Sequence, residues 1–454
     1  MEDTIAAIST PPGHGGIGIV RLSGSNAVKI ADSIFLSPKK KKLKDTPSHR
    51  ILFGHAINSK NKEVIDEVLV SVMKAPNTYT REDIVEINCH GGAVPLRRIL
   101  ELLLTGGARL AEPGEFTQRA FLNGRVDLAQ AEAVLDMVNA LTVQSQKTAI
   151  KQLSGSLSRK IEAIREKLIE LTAFVEAYID FPEEDIEPPT LRDMKKMAAK
   201  IQRTLTKLIE SARYGLILRE GLKTAIVGRP NVGKSSLLNA LLDEERAIVT
   251  DMPGTTRDVI EDYLNINGIP VKIMDTAGIR TARNIAEKEG VRRSLKSMKE
   301  ADLVILVLDG SEPLHSTDNE LISKSGSQNT IVVINKSDLM QQVLLKKGEE
   351  KSPVKLSAKK GTGLNKLKER IAEAALGGHA AYGSDIVTNT RHMDALERAL
   401  SSIDLFIKEV TNKTSPEFLS VELREALDAI GEILGITTPE DILNKIFSSF
   451  CIGK

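Results

Sequence analysis

The chain has no tryptophan, and only 3% of its 454 residues are aromatic. Stacking platforms for single-stranded nucleic acid need exposed rings, so that mode of binding is excluded as the main activity. Cysteine is nearly absent, with Cys89 and Cys451 alone. Two thiols cannot build a disulfide framework or a four-cysteine zinc site, and they fit a reducing compartment. Neither sign of charge dominates: 62 Lys and Arg against 61 Asp and Glu leave a formal net charge of +1. A global basic field for nucleic acid is missing, although a local patch is compatible with this balance. The longest clearly apolar run, 303–308, is far too short for a membrane span. Met1-Glu2-Asp3-Thr4 is not a basic stretch followed by an apolar one, so no secretory signal is read and a cytoplasmic protein is expected.

What is present is a composition of 41% hydrophobic and 27% charged residues, enough to bury several cores. At roughly 150 residues per domain the length predicts about three domains. Residues 1–120 read as α+β. Strand-like runs at 4–9 and 16–22 flank the turn Pro11-Pro12-Gly13-His14-Gly15-Gly16, further strands are expected at 64–73 and 84–89, and an amphipathic helix at 95–104. Residues 127–180 repeat apolar side chains at three- and four-residue spacing and predict two helices with Gly155 as the break. Phe181-Pro182-Glu183-Glu184-Asp185-Ile186-Glu187-Pro188-Pro189 stops the second helix, and another runs over 190–218. From Gly221 to Gly377-Gly378 strands and helices alternate, which implies a doubly wound parallel sheet. Helical periodicity returns over 388–454. The expected architecture is multidomain, α+β and α/β, with one helical domain split by the inserted α/β unit; two unrelated helical domains are the alternative.

Gly228-Arg229-Pro230-Asn231-Val232-Gly233-Lys234-Ser235 fits G-x-x-x-x-G-K-[ST], follows a strand and opens a helix that begins near Ser236. Backbone N–H groups of such a loop face the β-phosphate, Lys234 puts a positive charge on the β- and γ-phosphates, and Ser235 offers a hydroxyl to Mg²⁺. About forty residues on, Asp275-Thr276-Ala277-Gly278 ends a strand, with an Asp for Mg²⁺ and a Gly N–H for the γ-phosphate. Asn335-Lys336-Ser337-Asp338 ends another. Its Asp338 carboxylate suits guanine N1–H and N2–H₂, the Lys336 stem would cover the ring, and Ser357-Ala358-Lys359 would close the base pocket. Four such elements in order resemble the GTPase branch of the P-loop fold, so GTP is the expected nucleotide.

Ile279 follows Asp275-Thr276-Ala277-Gly278, where Ras-type enzymes carry the glutamine that orients the attacking water. Water positioning must come from elsewhere, and spacing alone leaves Glu287 and Glu289 both open. Thr250-Asp251-Met252-Pro253-Gly254-Thr255-Thr256-Arg257-Asp258 reads as the first switch. Asn231 would either coordinate a cation together with that segment or simply shape the loop.

The whole chain resembles the MnmE (TrmE) family of tRNA-modification GTPases. Beyond the GTPase elements, the resemblance rests on Thr10-Pro11-Pro12-Gly13 with Gly15-Gly16, Ala75-Pro76-Asn77-Thr78-Tyr79-Thr80 and Pro113-Gly114-Glu115-Phe116-Thr117. It also rests on Arg119-Ala120-Phe121-Leu122-Asn123-Gly124, Asp180-Phe181-Pro182-Glu183-Glu184-Asp185 and the ending Phe450-Cys451-Ile452-Gly453-Lys454. It implies an N-terminal tetrahydrofolate-binding and dimerisation domain (1–120), a split helical domain (121–219 and 379–454) and an inserted GTPase (220–378). The implied activity builds aminomethyl-type groups on carbon 5 of the wobble uridine of certain tRNAs. The implied partner is the flavoprotein MnmG, which alone carries FAD, in a heterotetramer with a homodimer of this chain. The one-carbon unit would come from a 5,10-methylene or 5-formyl tetrahydrofolate.

Carried over residue by residue, the resemblance puts folate contacts on Arg21, Glu86, Arg125 and Lys454. It puts K⁺ on Asn231, Thr250, Met252 and Thr255, and Mg²⁺ on Ser235 and Thr256. It selects Glu287 over Glu289 as the water-orienting glutamate and gives Cys451 a role in the modification. Arg81 departs from the pattern, since relatives usually have Gly there. Cys89 reads as a buried strand residue; Lys39-Lys40-Lys41-Lys42-Leu43-Lys44 could attract tRNA phosphate, but a solvated loop is the preferred reading, which leaves the tRNA surface unassigned. A ribosome-assembly GTPase switch is the rival reading, although it should carry an RNA-binding module after its GTPase, where this chain is helical.

Overall fold

A computed structural model of the chain describes residues 3–180, 191–244, 263–274, 295–325, 329–344, 353–376, 386–412 and 415–454. It divides into two units, Met1–Leu135 with Gly431–Lys454, and Asp136–Ile430.

The first unit is built on seven strands: β1 (Ile5–Ile8), β2 (Gly15–Ser23), β3 (Phe35–Leu36), β4 (Arg50–Ile57), β5 (Val64–Met73), β6 (Ile84–Gly91) and β7 (Arg109–Leu110). They run in the order β3-β4-β5-β6-β2-β1-β7. All neighbours are antiparallel except β1 and β7. Alternation decides the two faces. Val68, Val70 and Val72 of β5 join Val85, Ile87 and Cys89 of β6 on the face covered by α1 (Ala27–Ser33) and α2 (Ala93–Thr105), whose Ile30, Leu96, Ile99 and Leu103 complete the core. Each such side chain contributes about 1.5–3 kcal/mol by leaving water. The other face keeps Ile17, Ile51, Phe53 and Leu69 exposed. Helix α3 (Glu115–Leu122) follows, and α4 (Leu128–Val138) opens at the edge of this unit. Phe447 of the C-terminal helix Glu440–Ser448, with Phe450 just beyond it, packs against Ala120, Leu128 and Ala131.

The second unit holds α5 (Val143–Leu153), α6 (Ser156–Asp180) and α7 (Leu191–Glu220). The stretch 127–180 therefore makes three helices and not two. Gly155 breaks one junction with a φ of +79°, and Thr142 caps α5 by accepting from Ser145 N, creating the other.

The α/β sheet follows, with β8 (Leu222–Val227), α8 (Lys234–Glu244), β9 (Tyr263–Ile266), β10 (Ile269–Ile273), β11 (Leu303–Asp309), α9 (Ser316–Ser325), β12 (Thr330–Asn335), β13 (Val354–Lys355) and α10 (Leu364–Leu376). The strand order is β13-β12-β11-β8-β10-β9, parallel except for the β9–β10 hairpin. β11 is apolar throughout because both its faces are covered. Leu303, Ile305 and Val307 enter one core with α8 and α10, while Val304, Leu306 and Leu308 enter another with Leu321 and Ile322 of α9. After the sheet, α11 (Thr390–Asn412) packs along α7, with Gln202 Nε2 donating to Asp404 Oδ1 at 2.6 Å. α12 (Pro416–Leu434) follows. The α/β unit thus interrupts a helical layer whose two halves meet.

Candidate functional site

Residues 228–234 link the end of β8 to the first turn of α8, with their backbone N–H groups at a helix N-terminus. Gly233 has a φ of +100°, and a Cβ there would stand 2.2 Å from Asn335 Nδ2. Asn335 needs that space. Its Nδ2 donates to Val232 O at 2.9 Å, and its Oδ1 accepts from Ala358 N at 3.0 Å. One side chain thus ties the phosphate loop, the loop after β12 and the Ser357-Ala358-Lys359 loop. Asn231 takes a φ of +66°, a conformation asparagine tolerates better than most residues.

Lys234 Nζ donates to Gly228 O at 2.7 Å and to Arg229 O at 2.9 Å. Burial lowers its pKa to about 8. The ammonium is therefore held in a partly desolvated loop by carbonyls alone, an arrangement suited to an incoming polyanion. Ser235 and Ser236 follow on the first turn of α8.

The guanine side is equally built. Lys336, in the left-handed region at φ +60°, sends Nζ to Asp309 Oδ2 at 2.5 Å. Asp309 is buried at the end of β11. Burial raises its pKa, but the Lys336 ammonium and Ser311 outweigh this and hold the carboxyl below its ordinary value. Asp338 is exposed on the same loop, and the Ser357 hydroxyl beside it holds its carboxyl below the usual range. Ser337 N donates to Leu356 O at 3.0 Å, which seats this loop on the one after β13.

Sequence reasoning missed a brace beneath these loops. Arg229 donates to Asp318 Oδ2 at 3.1 Å and to Glu312 Oε2 at 2.6 Å. The end of β11 and the segment after it therefore hold the phosphate loop through Glu312 and Asp318, and Lys336 through Asp309. The available signal was an Asp ending a wholly apolar strand at Leu308-Asp309-Gly310.

Thr250, Asp251, Met252, Pro253, Gly254, Thr255 and Thr256 lie outside the described residues, as do Asp275, Thr276, Ala277, Gly278, Glu287 and Glu289.

A second cluster lies in the first unit. Arg21 and Glu86 face each other across β2 and β6, with Arg21 Nε donating to Glu86 Oε1 at 2.7 Å. Arg21 also donates to Gly453 O at 3.2 Å, and its guanidinium lies 5.6 Å from the Phe116 ring centre. The chain end is anchored by the Pro113–Ile452 bridge and by Gly114 N donating to Cys451 O. Gly453 is required there, since a Cβ would meet Ile8 O at 2.5 Å. Cys451 is exposed, and burial lowers the pKa of Lys454. The Arg125 guanidinium sits 4.8 Å from the Tyr79 ring centre, and Tyr79 packs with Phe116. Arg21, Glu86, Arg125 and Lys454 thus converge around α3. Arg81 holds φ +59°, the region glycine enters freely, and donates to Asn123 O at 2.8 Å. Cys89 is buried in β6, and burial, with Asp66 nearby, pushes its thiol up to about 11.

Beneath this cluster lies a buried ion network. Arg119, 1% exposed, donates to Asp3, Glu82 and Glu115, and Arg109 joins through Asp3 and Glu115. Among the described residues no group of three or more His, Cys, Asp or Glu side chains is arranged to hold a metal, and no helix is long and apolar enough to cross a membrane.

Two family models match: one described as the GTP-binding protein TrmE N-terminus over residues 4–125, and one described as the MnmE helical domain over residues 128–451. The tRNA modification GTPase MnmE of Alkaliphilus oremlandii is 51% identical over 100% of both chains. The protein of that name from Clostridioides difficile is 48% identical, again over 100% of both. Among solved structures, the G domain of the Thermotoga maritima FeoB iron transporter matches at 27% identity and a TM-score of 0.23, covering 34% of this chain and 98% of that one. Translation elongation factor SelB from Methanococcus maripaludis with a GTP analogue matches at 18% identity and a TM-score of 0.26, covering 35% of each chain.

Proposed function

The chain belongs to the MnmE family of tRNA-modification GTPases, and from that premise we propose that it is a K⁺-assisted GTP hydrolase that modifies the wobble uridine of certain tRNAs. It works in the cytoplasm as a homodimer with the flavoprotein MnmG, which carries the FAD. The product bears an aminomethyl-type group, carboxymethylaminomethyl in one form, on carbon 5 of the base. Residues 1–120 bind folate and dimerise, 121–219 and 379–454 form the helical part, and 220–378 hydrolyse GTP.

One observation carries the nucleotide reading: the desolvated Lys234 ammonium inside a glycine-lined loop that Asn335 locks to the guanine side. Lys234 binds the β- and γ-phosphates, the loop N–H groups cradle them, and Asp338 accepts the guanine N–H groups. Gly233, whose missing Cβ leaves room for Asn335 Nδ2, lets that side chain hold the loop in the shape a phosphate would meet. Ser235 with Thr256 would hold Mg²⁺, and Asn231 with Thr250, Met252 and Thr255 would hold K⁺. The two cations would supply positive charge to the leaving phosphates. Glu287 orients the attacking water.

For the one-carbon half, the paired Arg21 and Glu86, the Arg125–Tyr79 stack and Lys454 offer both cations and a carboxylate. That donor set fits a pterin with an amidine-like edge and a carboxylated tail. A tetrahydrofolate derivative bound there would supply the one-carbon unit. Cys451 stands exposed beside this cluster and takes part in the modification. The dimer reading draws support from the uncovered sheet face carrying Ile17, Ile51, Phe53 and Leu69.

The test is nucleoside mass spectrometry of total tRNA from cells lacking this chain, with and without its re-expression. Aminomethyl-type wobble uridines should vanish and return with the wild type but not with Cys451→Ser. Unchanged wobble uridines, with no second copy of the gene, would sink the reading.

A further inference from the structure

The lysine-rich run at 39–44 is an exposed loop with one buried anchor. Leu43 is fully buried, and its N–H donates to Asp32 Oδ1 at 2.6 Å. Lys40 N donates to Ser37 O, Lys39 N to Ser37 Oγ, and Thr46 Oγ1 to Lys42 O, closing turns on both sides of that anchor. Lys40 has a φ of +55°, so the chain reverses within the run. A non-glycine residue in that region is strained and persists only where its surroundings hold it. Lys74, at the end of β5, sends its ammonium to Lys44 O at 2.9 Å and thereby joins the same surface.

Lys39, Lys40, Lys41, Lys42 and Lys44 are exposed, Lys74 is half-buried, and none of the six ammonium groups has a carboxylate partner among the described residues. Charges of one sign held this close repel one another even through water. Nothing in the overall balance forces such a cluster, because the chain carries a net charge of only +1. A fixed, un-neutralised set of cations fits a polyanion whose charges repeat along a line. The run contains no aromatic residue, so such contact would be to phosphate and blind to base identity.

We propose that this loop, with Lys74, is a docking surface for the phosphate backbone of the tRNA substrate. The proposal rests on the tRNA reading above and supplies the RNA surface that the sequence left open.

The test is fluorescence anisotropy of labelled tRNA with the full chain over a KCl series, comparing wild type with Lys39→Gln/Lys41→Gln/Lys42→Gln. A control variant carries Lys167→Gln/Lys200→Gln/Lys207→Gln on exposed faces of α6 and α7. Removing three phosphate contacts should weaken binding about tenfold or more at 0.1 M salt and make the log–log salt slope shallower by about 2. The control should bind as wild type, and basal GTP hydrolysis should be unchanged in both. Equal affinity and slope in the triple variant overturn the docking surface while leaving the tRNA reading standing. An equal loss in the control reduces the effect to net charge and overturns it too. A variant that keeps tRNA but loses anionic phosphatidylglycerol vesicles assigns the patch to lipid and also overturns it. If wild type binds no tRNA, both readings fall.

Discussion

Lys234 offers a sharp quantitative test of the nucleotide site. Burial takes its pKa from the ordinary 10.5 to about 8. At about 1.4 kcal/mol per pKa unit, keeping that ammonium charged in the desolvated loop costs about 3 kcal/mol. The sign follows directly. A base whose folded pKa lies below its unfolded value binds fewer protons in the folded chain between about pH 8 and 10.5, so the unliganded protein gains stability as pH rises through that window. A triphosphate placed against Nζ restores the charged form. GTP binding should therefore take up about half a proton at pH 8, nearly a full proton near pH 9 and almost none at pH 6.5. Isothermal titration calorimetry in buffers of different ionisation enthalpy reads this number. Lys234→Arg keeps the charge but does not titrate, and it should abolish the pH dependence of the uptake. Equal uptake at pH 6.5 and 8.5, or uptake that survives in the arginine variant, would refute the desolvation argument.

Three further outcomes follow from geometry. Gly233→Ala forces a Cβ to within 2.2 Å of Asn335 Nδ2 at a φ of +100°, so it should weaken fluorescent GDP binding at least about tenfold and cost about 1–3 kcal/mol in denaturant melts. Asp309→Asn frees the half-buried Lys336 ammonium, so GDP affinity should fall while affinity for inorganic triphosphate stays level; parallel losses would mean general damage to the fold. Arg119→Met leaves Glu115, Glu82 and Asp3 without their shared cation and should cost about 3–5 kcal/mol in urea melts. In the wild type, burial raises the Asp3 and Glu115 pKa values, but Arg109 and Arg119 bring both below ordinary. The stability they contribute is therefore present above about pH 4 and should drain away as pH falls through their folded values.

What the sequence made legible was what lies close along the chain. The phosphate loop is eight contiguous residues between a strand and a helix, and the strands of the α/β sheet are unbroken apolar runs because both faces are buried. β4 was missed because half its side chains face outward and its alternation is blurred. β9 was missed although Asn267-Gly268, both at positive φ, is a hairpin signal in plain view. The extra helix break was legible in Thr142 as a cap. The brace through Arg229, Asp309 and Asp318 joins residues up to 89 positions apart, and the Arg21–Gly453 contact spans 432. No local pattern encodes such pairings; they exist only once the strands have set the distances. The lysine run is the exposed loop its charge suggests, but its anchor, a single buried leucine whose N–H is held by Asp32, could not be read from the sequence for the same reason.

The crossings into and out of the α/β unit carry a mechanical consequence. On the way in, Leu218 O accepts from Ser145 Oγ at 2.6 Å. On the way back, Ile386 O accepts from Gln152 Nε2 at 2.8 Å, Val387 N donates to Ser211 Oγ, and Gly215 lies so close to Val387 O that no Cβ would fit. Both passages are fastened to the same pair of helices, α5 and α7, within a few turns of each other. α5 and α7 thus hold the outgoing end of the helical layer and the returning residues Ile386 and Val387 near one another, the closeness of ends that lets a domain be inserted without loosening the layer that receives it.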